Sequence, residues 1–416
     1  MAQLSDDCFA FGGQLMSVEE AAALILERIA PIAEAEPVPL AQARGRVLAQ
    51  DLIAPLPLPP FFNSAVDGYA FAHASLLPGR ETALPLFGRV AAGEVAPPLR
   101  PGTAMRIFTG APMPAGADTV MMQEDARLDP AGLLLLPPGL PRGANCRPAG
   151  EDVPQGAVAL PAGTRLGPAE IGLAAALGLT ELSCSRRLSV GVFSTGNELA
   201  APGSPLGPAQ TYDSNRFTLL ALLAGLPVEG SDLGILPDDP AATRAALLAA
   251  AARHDLLLTS GGVSTGEEDH VRAAIAGAGS LVFWRLAVKP GRPAAMGVVG
   301  GTPVVGLPGN PVAAVVCFLH LARPLILRLA GARPEPLPRF PAVAAFSHRK
   351  KAGRREYLRA RLERQGFLLR AIKFGREGAG LISSLTESEA FVELMEGQER
   401  IAEGDPVLVL PFSAVF

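Results

Sequence analysis

Residues His254 to His270 read H-D-L-L-L-T-S-G-G-V-S-T-G-E-E-D-H, and their interpretation decides what kind of domain the chain builds. Asp255 to Thr259 is a short apolar run with the length of a strand buried on both faces of a parallel sheet. Ser260, Gly261, Gly262, Ser264, Thr265 and Gly266 follow, with little side-chain bulk and many small donors. Such a loop lets backbone N–H groups approach an anion, and the N-terminus of the next helix adds favourable partial charge. Glu267, Glu268 and Asp269 open that helix. Carboxylates beside a phosphate cradle repel it unless a cation intervenes, and Mg²⁺ bridging phosphate oxygens is the common solution. The same run also reads as an ordinary strand-to-helix turn with capping acids. Gly261 and Gly266 have the glycine spacing of a Walker loop, but Glu267 and Glu268 stand where Lys and Ser/Thr belong, which excludes a P-loop NTPase.

Outward from this stretch, strands and helices alternate. Leu188 to Phe193 reads as a strand followed by S-T-G-N-E-L, and T-Y-D-S-N (Thr211 to Asn215) caps a helix running to Ala224. Val228 to Ile235 is a strand, Pro240 to Arg253 an Ala-rich helix, and Asp269 to Ala278 another helix. A hairpin over Ala294 to Val305 ends in G-L-P-G-N-P, with Pro311 at the first position of a long apolar helix to Leu329. This spells a doubly wound α/β domain. Three of its strands end in small, polar loops: Thr195 to Glu198, Ser260 to Gly266, and Gly306 to Asn310. Ligands bind beyond the carboxyl ends of strands in such sheets, so a binding crevice is expected there. No G-x-G-x-x-G follows any strand, which argues against NAD or FAD.

Upstream, Met1 to Met16 reads as a ragged leader, and S-V-E-E from Ser17 is a capping box opening a helix to about Ile32. Leu40 to Leu48 reads as a second, short helix. The proline run Pro55 to Pro60 is extended. It delivers F-F-N-S-A-V-D-G-Y-A-F (Phe61 to Phe71), with Asp67 on a tight turn. Short strands broken by Gly and Pro follow to Arg147, a small β domain. They include R-I-F-T-G-A-P-M-P (Arg106 to Pro114), a strand ending at Thr109, and they lead to the polar loop Asn145 to Asp152. A helix from Pro168 to Leu177 resumes α structure, as if the β domain were inserted into a helical one. Downstream of Pro334 the chain alternates like short strands. Its one dense basic cluster, His348 to Arg355, reads either as a solvated hairpin or as an oxyanion site using Arg354 or Arg355, with Ser383 and Ser384 nearby.

Composition sets bounds. The chain has 416 residues, 49% of them hydrophobic and 18% charged, with net charge −4. That gives room for several cores and no global basic field to recruit nucleic acid. Four cysteines lie far apart without C-x-x-C, which fits a reduced, cytoplasmic protein, and scattered histidines form no zinc pattern. The run Val312 to Ala322 is too short to span a bilayer, so no membrane partner is expected. The first residues lack a basic start and an apolar signal core, so no secretory signal is expected.

The ordered motifs F-x-N-S-x-x-D-G-Y-A, R-I-x-T-G-A, G-E-D (Gly150 to Asp152), T-G-N-E-L, Y-D-S-N, T-S-G-G-V-S-x-G, K-P-G and G-L-P-G-N-P resemble the molybdopterin molybdenumtransferases. These are the molybdate-inserting enzymes of molybdenum cofactor biosynthesis, and the gephyrin E domain is similar to them. The resemblance implies a multidomain, elongated α/β protein. Its parts are a mixed helical domain (17–53 and 151–187), an inserted β domain (54–150), a three-layer doubly wound domain (188–331) and a C-terminal β-barrel-like domain (332–416). It also implies that molybdate and adenylylated molybdopterin give molybdenum cofactor and AMP with Mg²⁺. Asp269, Asp67 and Glu198 are the expected metal-binding and catalytic acids, with Thr109 and Asp152 as polar neighbours. Lys289 and Arg285 would neutralise developing charge. Ser260, Gly261, Gly262, Ser264, Gly266, Gly309 and Asn310 would bind substrate, with Pro308 and Pro311 stiffening their loop.

Three departures stand out. Arg285 and Arg292 occupy positions where Lys is common, and Ala313 replaces a common Ser. The partners implied are a second copy of the chain, with sites shared between subunits, the molybdopterin adenylyltransferase and the acceptor molybdoenzymes. Two other readings stay open: adenylylation of molybdopterin, performed by relatives built on the α/β domain alone, and a gephyrin-like scaffold.

Overall fold

The computed structural model describes residues 15–416 apart from Ala33, residues 264–269 and Trp284. The chain divides into two compact units. One comprises the residues up to Gln50, Ala162–Gly167 and Glu181–Phe416, the other Asp51–Pro161 and Pro168–Thr180.

The first unit contains the strand–helix alternation. Its sheet runs in the order Val228–Leu236, Leu188–Thr195, Leu256–Ser260, Thr302–Leu307, Ala295–Val299, Gly279–Phe283. The first four strands are parallel, and Ala295–Val299 runs antiparallel to both its neighbours. The central strand is buried on both faces, as its apolar run predicts. Leu256 and Leu258 enter one core with Leu219, Leu223, Val312 and Val315, and Leu257 enters the other with Leu247 and Ile275. Helices therefore cover both faces, the three-layer arrangement that strand alternation requires. Gly279–Phe283, an edge strand, was not expected from the sequence.

The Ser17 capping box is present: Ser17 Oγ accepts from Glu20 N at 3.1 Å and Ser17 N donates to Glu20 Oε2 at 2.7 Å. That helix stops at Arg28, short of Ile32, because Ile29 turns extended ahead of Pro31. The expected helix over Leu40 to Leu48 is absent. Ala35–Pro39 instead pairs antiparallel with Glu181–Ser185, only Leu40–Gln42 makes a 3₁₀ turn, and Gly45 at φ +76° breaks any continuation. The Pro311–Leu329 helix is long and apolar enough by length to cross a membrane, further than Val312 to Ala322 suggested. It lies in the core instead, with Val312, Val316, Leu321, Leu325 and Ile326 fully buried. Its middle, Phe318–Ala322, widens into a π turn, since Pro324 has no N–H for the carbonyl four residues back.

In the C-terminal region, Arg355–Gln365 pairs in turn with Leu368–Lys373 and with Ala390–Leu394. Phe340–Ala344 and Pro406–Pro411 close the ring into a five-strand barrel. Val288–Lys289 adds in parallel beside Arg355–Glu356, tying the chain after the sheet's edge strand to the barrel.

The second unit holds a four-strand sheet in the order Leu86–Val90, Ala104–Ile107, Gly68–Phe71, Thr119–Met122, and a smaller three-strand sheet. A Cβ at Gly68 would lie 2.0 Å from the Met121 carbonyl oxygen, so only glycine lets these strands approach.

Candidate functional site

Strands Leu188–Thr195 and Leu256–Ser260 are neighbours, but the chain leaves the first toward Val228–Leu236 on one side and returns on the other. This is the switch point of the sheet, where the loops after Thr195 and Ser260 part to form a crevice. Gly261 and Gly262 have φ +92° and +66°. A Cβ on Gly261 would sit 2.6 Å from Thr195 O, and one on Gly262 2.8 Å from Thr195 Oγ1. The glycine pair is thus needed to seat one loop on the other.

Asn215, which the sequence offered only as part of a helix start, joins the loops: its Nδ2 donates to Ser260 Oγ at 2.8 Å and to Gly309 O at 2.7 Å. Asp213 is buried as well, accepting from Ser194 Oγ at 3.0 Å and from Arg216 Nε at 2.8 Å. Ser214, at the helix start, makes no side-chain cap. The Y-D-S-N motif is therefore a brace under the crevice. Three buried polar atoms beneath it, Thr195 Oγ1, Thr259 Oγ1 and Asn215 Oδ1, have no hydrogen-bond partner among the described residues. Glu198 is exposed, and its carboxylate folds over Gly196 where a Cβ would clash. Pro308 is buried, Gly309 and Asn310 are exposed, and Pro311 starts the long helix. Ser264, Gly266 and Asp269 lie outside the described residues.

A second feature of the same unit is a cavity of ≈ 250 Å³ whose wall includes Lys289, Arg359, Lys373, Phe374 and Arg376. Arg359 enters from the long barrel strand. Its Nε donates to Ser384 Oγ at 3.0 Å and its Nη2 to Gly378 O at 3.0 Å. Neither partner is a carboxylate, so the guanidinium keeps its positive charge for a ligand. Burial pulls the Arg359 pKa down, with Glu377 opposing. Lys289 Nζ lies 2.7 Å from Glu356 Oε1.

The expected oxyanion residues need correction here. Arg355 is 2% exposed and engages Glu19 at 2.7 Å, Glu396 at 3.1 Å and Glu393 at 3.4 Å, so it binds the barrel together instead of a ligand. Ser384 is fully buried and positions Arg359, while Ser383 Oγ accepts from Arg376 at 3.3 Å. Arg354 lines an adjoining cavity of ≈ 440 Å³ with Lys289, Lys351 and Arg349. Arg285 is not among the residues lining either cavity, and its carbonyl accepts from Met16 N at 3.0 Å. Arg359 escaped the sequence reading because its place depends on barrel closure.

In the second unit, Asp67 and Thr109 meet: Asp67 Oδ1 accepts from Thr109 N at 2.8 Å and Thr109 Oγ1 at 2.7 Å. These two bonds, the backbone one first, hold the Asp67 carboxyl below its usual range, so it stays ionised. Asp152 is exposed and its N–H ties to Leu58 O at 2.9 Å.

Comparisons with known proteins agree along the chain. Residues 16–178 match the MoeA N-terminal region (domain I and II), residues 191–328 a probable molybdopterin binding domain, and residues 341–412 the MoeA C-terminal region (domain IV). A molybdopterin molybdenumtransferase of Haemophilus influenzae is 38% identical over 403 residues, covering 96% of this chain and 99% of its own length. Molybdopterin molybdenumtransferase 2 of Mycobacterium tuberculosis is 38% identical over 383 residues, covering 89% and 94%. The crystal structure of a molybdopterin biosynthesis MoeA protein from Pyrococcus horikoshii OT3 matches with TM-score 0.81 at 29% identity, over 96% of this chain and 100% of that one.

Proposed function

From the premise that this chain belongs to the molybdopterin molybdenumtransferase family, and so inserts molybdenum into molybdopterin, we propose how its residues divide the work. Adenylylated molybdopterin binds at the crevice beyond the sheet's carboxyl edge, where Gly262, Gly309 and Asn310 offer backbone N–H groups and Ser260 and Gly261, whose N–H is spent on Leu307 O at 3.0 Å, keep the loop low and narrow. Molybdate binds in the cavity walled by Lys289 and Arg359, and the product leaves with release of AMP. The observation that carries the second assignment is Arg359: a guanidinium buried in the cavity wall and hydrogen-bonded to Ser384 Oγ and Gly378 O, neither of them a carboxylate. Its planar fork matches two oxygens of a tetrahedral oxyanion.

Mg²⁺ belongs to this reading. Among the described residues no three Asp, Glu, His or Cys side chains converge as a metal cage. The donor set still suits Mg²⁺, which takes one or two carboxylates and fills its sphere with water and substrate phosphates. Glu198, Asp269 and Asp67 are the proposed carboxylates, and bound Mg²⁺ would neutralise the pyrophosphate that is broken. This chain's own residues orient the phosphates through the loops, hold the oxyanion through Lys289 and Arg359, and keep Asp67 ionised through Thr109.

The test is calorimetric titration of molybdate into wild type, Lys289→Ala and Arg359→Ala. Each variant should bind at least about tenfold more weakly, as loss of a charge-assisted contact predicts. Unchanged affinity in both would move the oxyanion elsewhere. Asp269→Ala should fold normally and lose cofactor synthesis; wild-type turnover would remove Asp269 from the chemistry.

A further inference from the structure

Behind the wall of the oxyanion cavity a line of polar side chains connects its two lysines. Lys289 and Lys373 both face the cavity. Lys289 Nζ is 2.7 Å from Glu356 Oε1, and the same oxygen is 3.4 Å from His348 Nε2. On the other edge of the ring, His348 Nδ1 is 3.3 Å from Lys373 Nζ, which also donates to Glu377 Oε1 at 2.9 Å. The His348 and Glu356 side chains are only 9% and 5% exposed. The four groups come from four separate strands: Glu356 and Lys373 from the barrel, Lys289 from the short strand paired beside Glu356, and His348 from a two-residue strand paired with Arg400–Ile401, so they meet only in the folded chain.

The chemistry of each group fixes its role. An ammonium has donors only, so Lys373 makes His348 Nδ1 an acceptor and leaves the ring proton on Nε2, facing Glu356. Yet His348 Nε2 and Glu356 Oε2 are both buried without a hydrogen-bond partner. Glu356 spends its bonded oxygen on Lys289, and the 3.4 Å approach to the imidazole lacks hydrogen-bond geometry. Two neighbouring side chains are each short of one partner, and a small rotation of Glu356 toward the ring would satisfy both. What opposes the rotation is Lys289, whose charge would be left without its carboxylate. An oxyanion in the cavity removes that opposition by taking Lys289 for itself.

We propose that His348 is a positioning residue for oxyanion binding: it holds Lys373 at the cavity and becomes the donor to Glu356 when the oxyanion engages Lys289. The buried carboxylate then keeps a hydrogen-bond donor when Lys289 turns to the ligand, which lowers the cost of releasing that lysine. This inference rests on the reading of the cavity as the molybdate site.

The experiment titrates inorganic molybdate into the full chain by calorimetry, alongside thermal melts. His348→Leu removes both ring contacts and should weaken molybdate on the order of tenfold, a coupling typical of directly contacting polar groups. His348→Gln, which keeps a donor near Nε2, and His348→Asn, which keeps an acceptor near Nδ1, should each recover part of the affinity. They carry the test if the leucine variant does not fold. In a Lys373→Met background, His348→Gln should cost less affinity than it does in wild type, because the contact it breaks is already gone. Wild-type affinity in all three His348 variants, or strictly additive losses with Lys373→Met, overturns the proposal. If Lys289→Ala and Arg359→Ala weaken molybdate while the His348 variants do not, the cavity assignment stands and only the positioning role falls. If none of these variants changes affinity, the cavity assignment fails and takes this inference with it.

Discussion

Arg355 and Arg359 lie on one face of one strand, four positions apart, and serve opposite ends. Arg355 lies against Glu393, which also accepts from Tyr357 Oη at 3.1 Å, and these three are all but sealed from water, while Arg339 reaches Glu393 from the surface with its Nε at 2.5 Å. Glu393 keeps Arg339 when Arg355 is removed, but a buried side chain and its contacts with Glu393 and Glu396 are lost, so Arg355→Ala should lower unfolding stability by about 1–3 kcal/mol. Arg359→Lys keeps the charge but loses the fork; it should leave stability nearly unchanged and weaken molybdate about tenfold. Urea unfolding and molybdate titration of the two variants separate these roles, and an exchange of phenotypes would refute them. His320, buried against the Tyr357 ring at 4.6 Å, gives a pH prediction. Burial pulls its pKa from 6.5 down to about 3 despite the nearby Glu393 carboxylate. The neutral ring is favoured in the fold, so its contribution is complete above the unfolded value near pH 6.5 and is lost as pH falls toward 3. The melting temperature should therefore begin to decline below about pH 6.5, before the carboxylates protonate. The decline down to about pH 4.5 should be smaller in His320→Phe, and equal slopes would exclude His320 as the source. Asp67 and Thr109 were legible in the sequence because each closes its own short motif. Arg359 and the role of His348 were not: Arg359 sits in no motif, His348 only opens the basic cluster whose arginines drew the reading, and both gain their meaning from strands elsewhere in the chain.

At the scale of elements, the crevice depends on a glycine pair that two different pressures could explain. The sequence suggested backbone approach to an anion; the structure adds that Gly261 must pass within reach of Thr195 O. Gly261→Ala places a Cβ at φ +92° against that carbonyl, so it should destabilise by about 1–3 kcal/mol. The urea midpoint should fall with the slope unchanged. A wild-type midpoint would show that the loop can move aside. The alternating strands and helices from Leu188 to Leu329 were readable because buried parallel strands are short apolar runs between caps and turn residues. Ala35–Pro39 was not readable. It carries two prolines, only Val38 of its five residues is buried, and its partner strand Glu181–Ser185 lies more than a hundred residues on. Local propensity saw a helix after it, while a long-range ladder and the buried Arg46, whose Nη2 donates to Ser185 O at 2.8 Å, decided otherwise.

At the scale of the molecule, Asp67 belongs to one compact unit and the crevice loops to the other. The assembly proposed for them is a homodimer whose sites each take Asp67 from one subunit and Asp269 from its partner. Asp67→Ala and Asp269→Ala should each be inactive alone. After subunit exchange, half the dimers are mixed and each has one intact site, so about a quarter of wild-type activity should return. Sites built within one subunit would recover nothing, with exchange verified by native mass spectrometry. The central claim, that this chain drives molybdenum insertion with loss of AMP, is tested most directly by incubating it with adenylylated molybdopterin and Mg²⁺ and following AMP. Addition of molybdate should trigger stoichiometric AMP release and formation of molybdenum cofactor, and Arg359→Ala should need far more molybdate for the same rate. AMP release that ignores molybdate, or formation of adenylylated molybdopterin from ATP instead, would contradict the account.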